Sequence, residues 1–395
     1  MDWKKLKIEV LTWLETLRVN ENPYRYKLSA STDDSAFTSC FALFIYDLFG
    51  ETSNFSDEKK KGWAIHLNSF QNPDYGYYEP RPYHHFDHER NRYQLTCFCL
   101  SALAILGEKP RYEFKFMEQY GDPESIEKYL YERGCDEGRA SSGNKAMFLA
   151  IFLTHLYETT GEQKYKNLID VWFNFHERYV NSSGFWGQER SCHSYHGIQN
   201  GLHQFVIYWY WGRKLHHHEA IIDVALSLQS RDGFFSPTPG GEACHDYDVV
   251  HTLVTLSNET RYKRDMILKA LLKAQKANLE NQRPDGGFCQ SVKQLNRYGD
   301  IIKNVPFIFS SFDHFQCYYR LRRAISIVKY NQQRINTGWT GNDRGWSESS
   351  LWDTWFRSLI IGEVQVLTNN EKSPFVSFLP MNFHNHIGLG HFLLN

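Results

Sequence analysis

A short turn signal returns along this chain at intervals of one helical hairpin, and it limits the possible folds more than any other feature. SFQNPDYGYY (69–78), VNSSGFWG (180–187), LQSRDGFF (228–235), NQRPDGGF (281–288) and TGNDRGWS (340–347) each follow a helical segment and turn on glycine; RGCDEGRA (133–140) is a degenerate copy. The turn glycines Gly76, Gly138, Gly184, Gly233, Gly287 and Gly345 stand 62, 46, 49, 54 and 58 residues apart. Self-similarity at such a period marks an architecture of repeated units, here helix pairs.

The segments between the turns come in two kinds. Residues 33–50, 91–107, 144–161, 195–212, 244–256 and 351–367 are apolar nearly all round, whereas 56–71, 162–179 and 261–280 carry a charged face. A helix apolar on every side is buried, and one with a charged face lies outside. Alternation of the two predicts an all-α fold: a single domain (1–395) forming an α/α toroid (barrel) of six to seven helical hairpins, with inner apolar helices ringed by outer amphipathic ones. An open α-solenoid uses similar hairpins. The very apolar inner helices, their polar entry loops and the apolar tail FLPMNFHNHIGLGHFLLN (378–395) favour closure.

Charge and composition exclude several classes. The net charge is −1, so no polybasic footprint argues for nucleic acid or an anionic membrane surface. No run of about 18 apolar residues is present to span a membrane. The start MDWKKLKIEVLTWLETL is amphipathic rather than a signal peptide. Eight cysteines, mostly in apolar helical surroundings, predict a reducing, cytoplasmic compartment without disulfides. No phosphate-binding P-loop, strand-linked GxGxxG or GxSxG elbow occurs.

In a toroid the loops entering the inner helices meet at one rim, so the candidate chemistry is concentrated there. The densest cluster is PGGEACHDYDVVHTL, with Glu242, Cys244, His245, Asp246, Asp248 and His251. One capping group starts a helix, so several of these are left over; Asp246, Asp248, His245, His251 and Glu242 are the catalytic candidates. Substrate-binding candidates are Asp33, Asp34, His84, His85, Arg90, His193, His196, Asn200, His203, Trp209, Asp313, Asp353 and Arg357. Asp33 or Asp34 is also the expected cap of its helix, and His196, Asn200 and His203 share one helical face. Arg357, inside an apolar helix, calls for a carboxylate partner. Trp209 belongs to the run Tyr208–Trp211, whose rings suit a cation-stabilising wall. No cofactor is expected; zinc held by Cys244, His245 and Cys192, or magnesium, is the alternative, although no paired-ligand spacing supports it.

The Q-x-x-D-G-aromatic turns resemble the repeats of the terpenoid cyclase and protein prenyltransferase superfamily, most closely over KGWAIHLNSFQNPDYGYY (61–78), then LQSRDGFF and NQRPDGGF. The resemblance implies the α/α toroid. In class II cyclases the middle Asp of D-x-D-D-T-A protonates an alkene. Thr32–Ala36 matches the second half, with Ser31 replacing the leading Asp, and Asp246–Val249 matches D-x-D without the third Asp. Gly240-Gly241-Glu242 is similar to the G-G-E-x-D stretch of the prenyltransferase β subunit, which binds zinc, but the D-x-C order is not reproduced. Three functions follow as expectations. The first is acid-initiated cyclisation or isomerisation in a central cavity, with Asp246 or Asp248 as acid and His245 or His251 tuning it. The second is a carbohydrate-active hydrolase, lyase or epimerase that pairs the same Asp residues with Glu242 or His196. The third is a non-catalytic binding or scaffold toroid. The expected partner is a small-molecule or oligosaccharide substrate, not nucleic acid.

Overall fold

The computed structural model describes residues 3–79, 88–187, 195–293, 295–311, 314–330, 334–335 and 338–368. Its helices pair in chain order: α1 (Trp3–Thr16) with α2 (Ala36–Leu48), α3 (Asp57–Asn68) with α4 (His88–Leu106), and α5 (Pro123–Glu132) with α6 (Ser142–Thr160). Next come α7 (Gln163–Tyr179) with α8 (Tyr195–Tyr210), and α9 (His218–Ser227) with α10 (Ala243–Glu259). The sixth pair is interrupted. Between α11 (Arg264–Leu279) and α15 (Leu351–Thr368) lies an insertion of α12 (Tyr298–Lys303), α13 (Val305–Ile308), α14 (His314–Lys329) and two short strands, β1 (Arg334–Ile335) and β2 (Arg344–Gly345).

The even-numbered helices α2 to α10 and α15 form the inner ring. Each packs on the next, and α15 packs back on α2, so the ring is closed and the solenoid reading falls. Composition decides which helix goes inside. Every residue of α2 is buried, as is the run from Leu351 to Val364 of α15 apart from half-buried Trp352. On outer α7, by contrast, Leu168, Ile169, Trp172, Phe173 and Phe175 are buried while Lys164 and Arg178 face solvent. The described residues thus hold six hairpins, the lower of the two expected numbers.

The repeated turn follows the outer helices α3, α5, α7, α9 and α11 on the way to their inner partners, and in three copies it also reaches the next outer element. In three copies the amide of the first turn residue donates to the carbonyl four residues on (Asn181 to Phe185, Ser230 to Phe234, Arg283 to Gly287), and the glycine amide donates back. The preceding glutamine donates to the turn-glycine carbonyl and to the next outer element. Gln71 bonds Gly76 and Tyr112, Gln229 bonds Gly233 and Ala270, and Gln282 bonds Gly286 and the Glu9 carboxylate. The last contact ties α11 to α1 and closes the outer ring as well. In this copy Gly286, not Gly287, takes the left-handed conformation (φ +102°). TGNDRGWS departs from the pattern: its Gly345 lies in β2, paired with Arg334 in the insertion.

Among the described residues no helix is long and apolar enough to cross a membrane. Gly286→Ala would force a side chain into positive φ with its Cβ 2.4 Å from the Glu9 carbonyl oxygen. The variant is expected to lose about 2–4 kcal/mol in denaturant unfolding, with Gly299→Ala, which meets nothing within 4 Å, as the near-neutral control.

Candidate active site

Five of the inner helices, α4, α6, α8, α10 and α15, line a cavity of about 240 Å³. Arg90 and Gln94 enter from α4, Asn144 from α6, Gln199 and His203 from α8, and Trp352 from α15. The insertion roofs it with Ile335, Trp339 and Arg344. Phe98, Phe148, Trp355 and Phe356 complete an aromatic wall with Trp339 and Trp352, whose ring centroids are 4.3 Å apart. The aromatic run Tyr208–Trp211 does not contribute: Tyr208 bonds Glu177, and Trp209 packs edge-on against His251.

At 100° per residue, α10 sends its dense cluster in three directions. Cys244, His245 and Asp248 face the cavity, joined by Glu242 just before the helix. Tyr247 and His251 face α15, where both meet Glu363 Oε1, at 3.1 Å and 2.9 Å. Asp246 turns back to its own loop. Its Oδ1 accepts from the amides of Phe235 (2.7 Å) and Ser236 (3.0 Å), and its Oδ2 from that of Glu242 (2.9 Å). The Asp246–Asp248 pair is therefore split, and Asp248 alone presents its carboxyl to the cavity.

Asp248 is only 6% exposed, and its Oδ2 accepts from the Tyr195 hydroxyl at 3.0 Å. Burial pushes its pKa up to about 7, more than the opposing pull of His245 and the Tyr195 bond, with Asp246 and Glu242 adding to the rise. Beside it, His245 Nδ1 lies 3.0 Å from Glu242 Oε2, which also accepts from Thr238 Oγ1 at 2.8 Å. Burial works against both charges. Even so, His245 and Arg323 hold Glu242 below the usual carboxylate range, and Glu242 raises His245 above its ordinary value. His203 differs: burial lowers it to about 4, so it is neutral at pH 7. Its Nδ1 lies 2.6 Å from the Gln199 carbonyl, to which it donates, leaving Nε2 as the acceptor.

Other expected site residues hold the rim together instead. Asp33 accepts from the amides of Gly341 and Asn342, and Asp34 forms a two-bond pair with Arg25 at 2.7 and 2.9 Å. Neither caps α2, because Ser35 does so in a capping box with Thr38. Asn200 donates to the carbonyls of Gly138 and Arg139, and His196 stacks on Tyr319 of the insertion. Of the three residues expected along one face of α8, only His203 reaches the cavity, because α8 is enclosed by protein on its other sides. Asp353 pairs with Arg344 at 2.6 Å and with Ser350. Arg357 donates to the Cys289 and Gln290 carbonyls and to Asn278, so backbone rather than a carboxylate satisfies most of its donors, with Asp246 and Asp353 supplying the nearby charge. His84, His85, Cys192, His193 and Asp313 lie outside the described residues.

A zinc site is not assembled by the residues in view. His245 is already paired with Glu242, burial raises the Cys244 thiol well above its ordinary pKa, and among the described residues no three His, Cys, Asp or Glu converge on a cation position. Tyr195, Gln94, Asn144, Gln199 and Trp352 were not legible as site residues from chemistry, since none has a striking side-chain pattern. Their signal is position: each sits in the first two turns of an inner helix.

Two substitutions separate the acidic pair. The folded-state pKa of Asp248 is raised from 3.8 to about 7, so its contribution to stability falls as pH rises from about 4 to about 7. Asp248→Asn removes that cost. At pH 8 it is expected to unfold with a free energy about 4 kcal/mol larger than the parent, and this gain disappears near pH 4. Asp246→Ala leaves three buried amides without their acceptor and is expected to cost about 3 kcal/mol at pH 4, and less at pH 8 because burial raises the Asp246 pKa too. Urea titrations at pH 4 and pH 8 check both.

No family model matches the chain, and no curated sequence does. Distant solved structures align with it. The type II terpene cyclase MstE from Scytonema is 12% identical over 92% of this chain and 96% of its own, with a TM-score of 0.47. A GH76 α-mannanase from Bacteroides thetaiotaomicron is 12% identical over 84% and 98%, with a TM-score of 0.45. A polysaccharide lyase is 13% identical over 84% and 98%, with a TM-score of 0.40. Each is a protein this chain is similar to across most of its length.

Proposed function

We propose that this chain catalyses an acid-initiated cyclisation or isomerisation of a small alkene, with Asp248 as the general acid. The observation that carries this reading is a carboxyl group with a pKa of about 7 set in a cavity walled by six aromatic side chains. At neutral pH much of Asp248 is protonated, and because Tyr195 occupies Oδ2, the proton sits on Oδ1. Transfer to a substrate double bond forms a C–H bond and leaves a carbocation. The Tyr195 O–H and the charged His245 stabilise the carboxylate that remains, and Glu242 keeps His245 charged and in place. The faces of Trp339, Trp352, Trp355 and Phe356 favour positive charge over neutral hydrocarbon. A second double bond can close a ring onto the cation. Loss of a proton to Nε2 of neutral His203 restores a double bond, so the product is an isomer of the substrate and the enzyme regains its proton through solvent.

A second reading has its own support. Glu242 is held ionised while Asp248 is held protonated, and such a split is what paired carboxylates need for acid–base work on sugars. Arg90, Gln94, Asn144 and Gln199 would supply hydrogen bonds to hydroxyl groups. The cyclase reading is preferred because Glu242 is already committed to His245 and Thr238 and because the wall is aromatic. We place the reaction in a reducing compartment such as the cytoplasm, a reading supported by buried thiols at Cys40, Cys97, Cys99, Cys135, Cys289 and Cys317.

Incubation with isoprenoid diphosphates, squalene-like polyenes and uronate oligosaccharides, followed by mass spectrometry, tests the choice. The expected result is a polyene product of unchanged mass, with kcat reduced about 10²–10⁴-fold in Asp248→Asn and falling about tenfold per pH unit above pH 7 in the parent. His203→Ala is expected to retain protonation but shift the product mixture. Polyene turnover surviving in Asp248→Asn sinks the proposed acid. Oligosaccharide turnover lost in both Glu242→Gln and Asp248→Asn moves the assignment to the second reading, and no turnover at all favours a binding toroid.

A further inference from the structure

The overall charge of −1 hides a strongly uneven distribution. Residues 292–335, nearly all of the insertion between α11 and α15, contain eight Lys and Arg against two Asp, an excess of six positive charges. The same 44 residues carry eight of the fourteen large hydrophobic side chains exposed among the described residues, including Ile302 (73%), Phe309 (62%) and Tyr330 (63%). Six of the eight cations, Lys293, Arg297, Lys303, Arg322, Lys329 and Arg334, are exposed, so basic and apolar groups stand on the surface together in about a ninth of the chain.

Their arrangement is ordered. On α14 the exposed positions His314, Tyr318, Arg322, Ile325 and Lys329 follow helical spacing and form one stripe of alternating apolar and basic groups. The opposite face, with Gln316, Arg320, Ala324 and Ile327, is buried against the rest of the protein. Phe309 and Tyr318 border a surface hollow with Leu321, so α13 continues the stripe. Ile302 and Lys303 add the same pairing from α12. The insertion that carries this face also reaches the cavity: Arg323, on the adjoining side of α14, donates to Thr238 and comes to 3.9 Å from Glu242, and Ile335 of β1 lines the cavity itself.

We infer that the insertion docks on an anionic lipid surface. Exposed aromatic and branched side chains interleaved with Lys and Arg match the two layers of such a surface, the apolar groups reaching the acyl boundary and the cations the headgroup charge. Long basic side chains suit the same interface, because their stems are apolar and only their tips charged. The positive excess is complementary to anionic lipid in a way that a second copy of the same basic face is not. Docking here brings the roof of the cavity to the layer where apolar alkenes are dissolved. It departs from the expectation drawn from net charge alone, because the charge is counted here segment by segment. The surface does not depend on the chemistry assigned to Asp248.

Co-sedimentation of the full chain with vesicles of phosphatidylcholine alone, and of phosphatidylcholine mixed with phosphatidylglycerol, tests the inference. Binding is expected to the anionic vesicles only, and to weaken as salt is raised. Each removed cation is expected to cost about fivefold in partitioning, so the double variant Arg322→Glu, Lys329→Glu is expected to bind at least tenfold more weakly. Ile302→Ser with Phe309→Ser, which alters only exposed side chains, is expected to reduce partitioning on the same vesicles. Asp248→Asn is expected to bind like the parent, so a failure of the chemistry and a failure of the docking are read separately. Equal binding to both vesicle types, or no effect of the charge reversal, overturns the inference. So does a dimer in gel filtration that Ile302→Ser with Phe309→Ser dissolves while vesicle binding is absent, since the face then belongs to a second copy.

Discussion

Closure of the inner ring where α15 meets α2 is the contact on which the rest of the structure depends. Trp355 of α15 packs its ring 4.9 Å from Phe44 and 6.0 Å from Phe41, and Trp352 lies 5.1 Å from Phe41. These aromatic pairs join residues more than 300 positions apart, and no local propensity produces them. Once they form, six bundles of helix N-termini become a single rim. The space between them becomes a cavity rather than an exposed concave surface. Buried groups such as Asp248 owe their altered acidity to that enclosure, because only the removal of water penalises the charged form strongly.

Enclosure also explains why neighbouring acids on α10 have opposite roles. Asp246 and Asp248 are two positions apart and similarly buried, yet one is surrounded by backbone donors and the other by a single phenol. Three amides fix Asp246 as a structural acceptor that holds the loop from Phe235 to Glu242. With one donor and a cavity on its open side, Asp248 has less to offset burial. Glu242 raises the proton affinity of His245 beside it, and His245 in turn offsets part of the rise that burial imposes on Asp248.

Much of the architecture was legible because it rests on side-chain periodicity. The six apolar segments became the six inner helices, and the three charged amphipathic segments became the outer helices α3, α7 and α11. The turn motif also meant what its spacing implied, since the glutamine makes the same pair of bonds in three of its copies. Misreadings occurred where identity depends on a distant loop. Asp33 is engaged by the amides of Gly341 and Asn342, more than 300 residues away, so its local position before a helix could not reveal that Ser35 is the cap. The glycine motif around Gly345 looked like another repeat but belongs to a two-stranded insertion, because the same residues suit either kind of tight turn.

The candidate site divides in the same way. Sequence alone placed a surplus of ionisable groups at the start of α10 and tied them to a repeat that gathers loops at one end, because helical spacing and turn chemistry are local properties. Which of those groups faces the cavity was decided by the rotation of α10 within the closed ring, about 100° for each residue. That rotation is set by packing against α8 and α15, not by α10 itself. The aromatic wall from α4, α6, α15 and the insertion, the charge state of His245 and the raised pKa of Asp248 likewise exist only when these elements meet, since each depends on distance and on exclusion of water.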